Sequence, residues 1–228
     1  MKSRHLLTAS AAALCALTVP THVHANAIAY TVTVLELLPG GISSYPTGVN
    51  NAGQVVGRTL IGTSTIATIW NGTSPTGLGL LLGGTASGAN GINNSGQVVG
   101  TSNTAATSTQ ATIWNGITPT ALQPLGSFAL ALGINSSGQM AGYTASGGNF
   151  RALFWNSASA TPVVLGTRWS IGNAINESGQ VAGASGNSGG DCQATVWNGT
   201  TPTILGMPTG AFVSVGYAVN NSADVAGY

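Results

Sequence analysis

The chain has 228 residues, of which 43% are hydrophobic and only 4% are charged, and its formal net charge is +1. No uninterrupted apolar run approaches the ~18–20 residues that a bilayer-spanning helix needs, and the ordered hydrophobic content is too high for a disordered chain. Because Lys and Arg form no cluster of the kind that attracts nucleic acid or anionic lipid, we expect no nucleic-acid partner and no membrane insertion within this chain.

Residues 1–25 have the organisation of an export signal. Lys2 and Arg4 precede a mainly apolar stretch, and Val23 and Ala25 are acceptable residues before a cleavage site. A cut two residues later is about as good. The sequence therefore predicts a secreted or cell-surface protein.

Removal of that segment changes the available chemistry, because every His and Lys lies within it. Without His, Ser-His-Asp and Cys-His catalysis are excluded, and we expect no catalytic residues, metal or cofactor. An enzyme based on two carboxylates remains the third choice of function. Cys192 is the only remaining cysteine, so it cannot form an intramolecular disulfide. The mature charges give a net charge of −1, from three arginines (Arg58, Arg151, Arg168) against four carboxylates (Glu36, Glu177, Asp191, Asp224).

The mature chain opens with an alternating segment, YTVTVLELL at residues 30–38, which predicts a strand closed by Pro39-Gly40-Gly41. It is similar to the end of each later unit, so we expect the chain to enter a repeat array partway through a unit. The matching Leu-Gly pairs are Leu78-Gly79, Leu125-Gly126, Leu165-Gly166 and Leu205-Gly206.

A ten-residue motif, GINNSGQVVG in its second copy, recurs five times at nearly constant spacing. The first asparagines of the copies are separated by 43, 42, 41 and 44 residues, which indicates repetition of one structural unit. Asn-x-x-Gly suits a type I turn followed by a bulge with Gly at positive φ, so each copy predicts an antiparallel hairpin. The structural turn residues are Asn50, Gly53, Asn93, Gly96, Asn135, Gly138, Asn176, Gly179 and Asn220.

A third strand ending in Trp follows each of the first four motifs. Three of these strands run into Asn-Gly, a strong hairpin signal, whereas Asn156-Ser157 predicts a different turn. A Pro then opens a fourth strand. A Trp at one register in every unit favours packing between units over a stacking platform for sugars. These residues are Trp70, Trp114, Trp155 and Trp197.

Four antiparallel strands in roughly 42 residues are typical of a β-propeller blade, and a parallel β-helix or solenoid is the alternative. The sequence therefore predicts an all-β fold with one repeat domain over residues 26–228. Four full repeats run from about residue 47 to 206, and a partial fifth runs from about 211 to 228. Because the fifth hairpin has no Trp strand after it, we expect this chain to be a truncated version of a longer protein.

The GIN-x-x-GQVVG hairpin, the later Trp strand and the Leu-Gly segment together resemble the HAF-type extracellular repeat family of bacteria. The resemblance covers Tyr30 to Tyr228. The His-Ala-Phe triplet that names the family matches here only at its Ala, so the chain is similar to a divergent member. The corresponding triplets are Ile66-Ala67-Thr68, Gln110-Ala111-Thr112, Arg151-Ala152-Leu153 and Gln193-Ala194-Thr195. The resemblance implies a secreted or surface-associated, propeller-like protein with no general activity assigned.

Arg168 and Trp169 are the candidate ligand contacts, because this Trp lies outside the register of the other four. An exposed Arg-Trp pair can stack on a sugar ring and bond its hydroxyls, although a locally packed loop explains the pair as well. The turn asparagines also suggest calcium loops, but too few carboxylates accompany them. The sequence thus indicates a binding or structural scaffold with a glycan or surface protein as partner, and a lectin-like propeller is the alternative. Ligands would contact variable loops such as residues 103–110 and 185–193.

Overall fold

The computed structural model describes residues 31–105, 108–123, 125–166, 169–186, 191–207 and 209–228. The predicted export signal, residues 1–25, and Arg168 lie outside these ranges. Contacts divide the chain into Met1–Val32 and Thr33–Tyr228, and all described strands belong to the second unit. Over the described residues there is no helix long and apolar enough to cross a membrane.

The described residues form an all-β structure with four four-stranded sheets and one two-stranded sheet. In every sheet the strands follow one another in chain order and pair antiparallel, which is not the pairing of the parallel β-helix considered as the alternative. Sheet 1 contains β1 (Gly41–Val49), β2 (Val55–Ile61), β3 (Ser64–Asn71) and β4 (Ser74–Gly77). Sheet 2 contains β5 (Ser87–Ile92), β6 (Val98–Asn103), β7 (Thr109–Asn115) and β8 (Thr118–Ala121).

The later sheets repeat this order with shorter final elements. Sheet 3 contains β9 (Ala129–Ile134), β10 (Met140–Ser146), β11 (Asn149–Trp155) and β12 (Val163–Val164). Sheet 4 contains β13 (Ser170–Ile175), β14 (Val181–Gly186), β15 (Cys192–Asn198) and β16 (Thr201–Ile204). Sheet 5 contains β17 (Gly216–Val219) and β18 (Val225–Gly227).

The entering strand predicted for residues 30–38 is corrected by the structure, because residues 31–38 form no strand. Glu36 N donates to Thr73 O at 3.1 Å. Thr73 lies in the turn after β3, so this bond does not begin a ladder along a strand. The chain then turns at Gly40, whose φ is 77°, and the first strand of sheet 1 begins at Gly41.

The predicted Asn-x-x-Gly hairpin turns are confirmed. In the first copy, Gly53 N donates to Asn50 O at 3.0 Å and Asn50 N donates to Gln54 O at 3.1 Å. Gly53 has φ 75°, and the equivalent glycines of the next three copies have φ 78°. The fifth copy has Ala223 at this position, and it adopts φ 68° without being glycine. The turn geometry is therefore set by the motif as a whole.

The third and fourth strands are also joined as the sequence predicts. Two-residue loops begin at Gly72, Gly116 and Gly199, each with positive φ, as in a type II′ turn. The unit with Asn156-Ser157 has a longer connection between β11 and β12.

The Leu-Gly alignment is wrong in the second unit. Leu122, not Leu125, takes the buried place, and its N–H donates to Ala111 O as Leu78 N does to Ala67 O. The residue that follows Leu122 is Gln123, so the place requires Leu but not Gly.

Successive sheets pack against each other through buried side chains. The first strands, β1, β5, β9, β13 and β17, lie side by side, and the fourth strand of each complete sheet lies farthest from them. One cluster between sheets 1 and 2 joins Val56, Leu78 and Trp114. A second cluster lies between sheets 2 and 3 and a third between sheets 3 and 4. Each repeat therefore completes its core with residues from the next.

The Asn of each motif also bridges adjacent sheets. Asn93 Nδ2 donates to Gln97 Oε1 at 2.8 Å and to Asn135 O of the next sheet at 3.0 Å. Its Oδ1 accepts from Ser95 N and Gln97 N. The same bond to the next sheet extends from Asn50, Asn135 and Asn176. The buried amides thus form a continuous ladder along one side of the array.

Candidate functional site

The antiparallel hairpins divide the array into two sides. The turn face carries the Asn-x-x-Gly turns and the short turns after the Trp strands. The loop face is the opposite side, which carries the connections between the second and third strands and those between sheets. The Asn ladder fixes the turn face, whereas side chains at the loop face vary from one repeat to the next.

Trp169 lies on the loop face, in the connection that leads into sheet 4, and 51% of its surface is exposed. Its φ is 53°, a conformation that non-glycine residues rarely adopt. Gly186 N donates to Trp169 O at 2.7 Å, and a Cβ at residue 186 would lie 2.8 Å from Trp169 Cβ. The adjacent strand therefore holds this strained residue by a close backbone approach that needs glycine.

Trp169 ends a row of aromatic side chains. Its ring lies 5.5 Å from that of Phe150 at 54°, and Phe150 lies 5.5 Å from Tyr143 at 74°. Phe128 lies 6.3 Å from Tyr143. These spacings fall in the ~4.5–7 Å range of favourable ring pairs. The packing against Phe150 agrees with the locally packed loop expected as the alternative, yet half of the indole stays open to solvent.

Trp169 also has counterparts in earlier repeats, although it lies outside the register of the buried tryptophans. The carbonyls of Ala86 and Phe128 accept from the second strand of their sheets, as that of Trp169 does. The place before the first strand of a sheet is therefore a variable repeat position. Ala, Phe and Trp occupy it in turn.

A groove of about 410 Å³ lies between sheets 1 and 2 at the loop face. Arg58 and Thr65 line it from sheet 1, and Gly88, Thr101 and Asn103 line it from sheet 2. Arg58 lies over the ring of Tyr45 with 5.4 Å between Cζ and the ring centroid. At the equivalent place between sheets 3 and 4, Tyr143 and Phe150 replace Arg58 and Thr65.

A second cavity of about 310 Å³ lies beside the connection into sheet 3. Arg151 lines it together with Thr144, Ser146 and Asn149. Neither cavity has a carboxylate in its described lining, and each has one arginine. Both are therefore polar concavities with a single positive group.

Burial changes the titration of two groups near this face. It raises the pKa of the Tyr143 hydroxyl and that of the Cys192 thiol above their ordinary values. Both groups are therefore neutral at physiological pH.

The structure separates the sequence-predicted residues into two groups. Trp70, Trp114, Trp155 and Trp197 are at most 1% exposed, as the packing interpretation requires. The turn asparagines lie on the turn face, far along the strands from Trp169. The arginine proposed as the partner of Trp169, Arg168, lies outside the described residues.

The carboxylates have structural contacts of their own. Glu177 accepts from the N–H and hydroxyl of Ser136 at 3.0 Å each, and Asp224 accepts from Asn220 Nδ2 at 2.8 Å. Thr73 Oγ1 donates weakly to Glu36 at 3.4 Å. Among the described residues no group of three or more His, Cys, Asp or Glu side chains is placed to hold a metal ion.

The loop-face residues other than Trp169 were not predicted from the sequence. Arg58 and Tyr143 share one repeat position with Thr101, and Phe150 shares another with Thr65. The signal for them is variation in chemistry at a fixed repeat position, which an alignment of the repeats against each other would display.

Comparisons with known proteins add little to this geometry. No family model matches the chain, and no curated protein matches it. Among solved structures, one similar chain is a single-residue mutant of Aleuria aurantia lectin in complex with alpha-methyl-L-fucoside. It is 13% identical with a TM-score of 0.39, and the match covers 81% of this chain and 68% of that one. That similarity is too low to carry an argument, so the interpretation depends on the site itself.

Proposed function

We propose that this chain is an exported repeat protein that binds saccharides through its loop face. The observation that carries the proposal is Trp169, a half-exposed indole held in a strained backbone conformation at the end of an aromatic row. Strain at a non-glycine residue persists only where its surroundings enforce it, and such residues concentrate at ligand sites.

Saccharides suit this surface because they combine an apolar ring face with many hydroxyl groups. The aromatic row supplies a stacking surface, and the cavity beside the connection into sheet 3 presents Thr, Ser and Asn side chains. Covering about half of an indole of ~200 Å² removes ~100 Å² from water, which is worth ~2.5 kcal/mol at ~25 cal/mol per Å². One stacked ring of this kind supports weak binding, so several contacts along the loop face are needed for useful affinity.

The architecture that supports this function is a β-propeller. The first strands lie side by side and would surround the axis, while consecutive four-stranded antiparallel sheets would be the blades. Export is supported by residues 1–25, and the repeat motif supports a place beside the HAF-type extracellular repeats. Ligand contacts at the loop face would then lie on one end of the propeller.

Binding rather than catalysis fits the residues present. The cavities have no carboxylate in their described lining, and a glycosidase needs two carboxylates that face each other. Glu177 is occupied by its contacts to Ser136 at the turn face, away from Trp169.

The test is a glycan array followed by isothermal titration calorimetry with the saccharide that binds best. We expect Trp169→Ala to weaken binding by about tenfold or more without lowering the melting temperature. Ile117→Ala is the matched control, since Ile117 is 60% exposed but lies on the turn face. Equal affinity of Trp169→Ala and the unchanged protein would contradict the proposal. Failure of every saccharide to bind would leave a structural scaffold or a surface protein as partner.

A further inference from the structure

The groove between sheets 1 and 2 has a chemistry of its own. Its volume of about 410 Å³ falls within the ~300–1,000 Å³ of small-molecule sites. Arg58 and Thr65 line this groove, whereas Tyr143 and Phe150 occupy the equivalent repeat positions between sheets 3 and 4. The groove is therefore polar and the equivalent place is aromatic. The two places therefore suit different ligand groups.

The charge in the groove is uncompensated. Arg58 is exposed and forms no ion pair with any residue that the structure describes, and the described lining holds no carboxylate. The Tyr45 ring contacts the guanidinium without neutralising it. The five guanidinium N–H groups remain available as donors.

The walls of the groove are preorganised. Asn103 Oδ1 accepts from Thr85 N at 2.7 Å and Ala86 N at 2.8 Å, which ties the connection before sheet 2 to β6. Within the described part of the chain the hydroxyls of Thr65 and Thr101 have no hydrogen-bond partner. They are free to bond the hydroxyl groups of a ligand.

The floor is open because of a glycine. A Cβ added at Gly88 would lie 3.8 Å from Arg58 Cδ and 4.0 Å from Thr101 Oγ1, so a small side chain fits there without strain. A larger side chain would occupy the space between Arg58 and Thr101. This position therefore allows the groove to be filled while the charge is kept.

We propose that this groove binds a carboxylate-bearing saccharide, such as a uronic acid residue, with the carboxylate on Arg58 and the ring hydroxyls on Thr65 and Thr101. The inference depends on the proposed saccharide-binding function and specifies one ligand class for it. Arginine presents a planar fork that bonds a carboxylate through two parallel N–H···O contacts. A neutral sugar would make only the hydroxyl contacts.

The test compares oligogalacturonate with the matching neutral galactose oligosaccharide by isothermal titration calorimetry on the mature protein. Arg58→Gln should lower the affinity for the acidic ligand by about tenfold or more and leave the affinity for the neutral ligand unchanged. Gly88→Val should give the same loss of acidic binding with the charge intact, and Arg151→Gln shows whether the carboxylate binds the other cavity instead. Ile117→Ala on the turn face is the control that should change neither affinity. Affinity for the acidic ligand should also fall as salt is raised, because Arg58 is exposed.

The two proposals fail in different ways. The groove inference would be overturned if Arg58→Gln bound the acidic ligand as tightly as the unchanged protein does. The proposed function would still hold if Trp169→Ala had lost binding in the same experiment. Loss of acidic binding in Arg151→Gln instead of Arg58→Gln would overturn the groove inference as well. Failure of oligogalacturonate to bind would overturn the groove inference, whereas the proposed function fails only if every saccharide on the glycan array fails to bind. Melting temperatures confirm that each variant is folded.

Discussion

The amide of Asn93 is expected to hold sheets 2 and 3 together, and Asn93→Ala removes it. Asn93 is 4% exposed and uses its full side-chain capacity, donating two hydrogen bonds and accepting two. At ~1 kcal/mol net for each bond, the free energy of unfolding should fall by about 3–4 kcal/mol. The carbonyl of Asn135 would lose one of its two donors and keep the hydrogen bond from Gly138 N.

Asn220→Ala is the matched control. Asn220 makes the same local contacts, accepting from Ser222 N and Asp224 N and donating to Asp224 Oδ2, but it is exposed. Its removal should cost about 1 kcal/mol, since water replaces these bonds. The assay is denaturant unfolding followed by tryptophan fluorescence. If Asn93→Ala and Asn220→Ala lowered the free energy of unfolding by amounts within about 0.5 kcal/mol of each other, the reasoning would be refuted. The hydrogen bond between sheets would then contribute nothing.

Three other perturbations test the packing. Trp114→Phe should cost about 1 kcal/mol more than Trp197→Phe, because Trp114 Nε1 donates to Gly79 O whereas Trp197 Nε1 has no partner among the described residues. Melting temperatures measure the difference, and equal costs would contradict the prediction. Gly142→Ala should destabilise by ~3 kcal/mol or prevent folding, because the new Cβ would collide with Leu130 O; an unchanged melting temperature contradicts this. Alkylation of Cys192 should be slow at neutral pH, and its rate should rise only above the usual thiol pKa, because burial raises the pKa of this thiol and lowers the thiolate fraction. Rapid labelling at neutral pH would contradict this.

Local features were predictable because their causes are local. The turn at Asn50 follows from an Asn that bonds nearby N–H groups and a Gly that accepts positive φ. The burial of a Trp at one position in every complete repeat follows from the repetition itself. The turn needs no contact with another sheet, and the contact between sheets that buries each Trp is supplied by the repetition.

Nonlocal features were not predictable from the same patterns. The segment at residues 30–38 alternates like a strand, but alternation does not supply a neighbouring strand, and residues 31–38 pair with no strand in the structure. In the second unit two Leu residues compete for one buried place, and the Leu-Gly match selected Leu125 where packing selects Leu122. The Asn ladder was missed because the local turn already explained every Asn.

The candidate site depends on which repeat positions face each other across sheets. Trp169 was found because its sequence position is unusual for a Trp. Arg58 gave no such signal, since its groove exists only when Gly88 of the next sheet is placed opposite it. Chemistry that varies at a fixed repeat position is therefore a better guide to function here than the constant motif.

The loop-face binding claim is tested most directly by acrylamide quenching of tryptophan fluorescence. Four of the five tryptophans are at most 1% exposed, so Trp169 should account for the quenchable emission. A saccharide that stacks on it should reduce quenching in a saturable way, and Trp169→Ala should remove both the quenching and the change. Quenching that stays constant at saturating concentrations of a saccharide that binds by calorimetry would contradict the account.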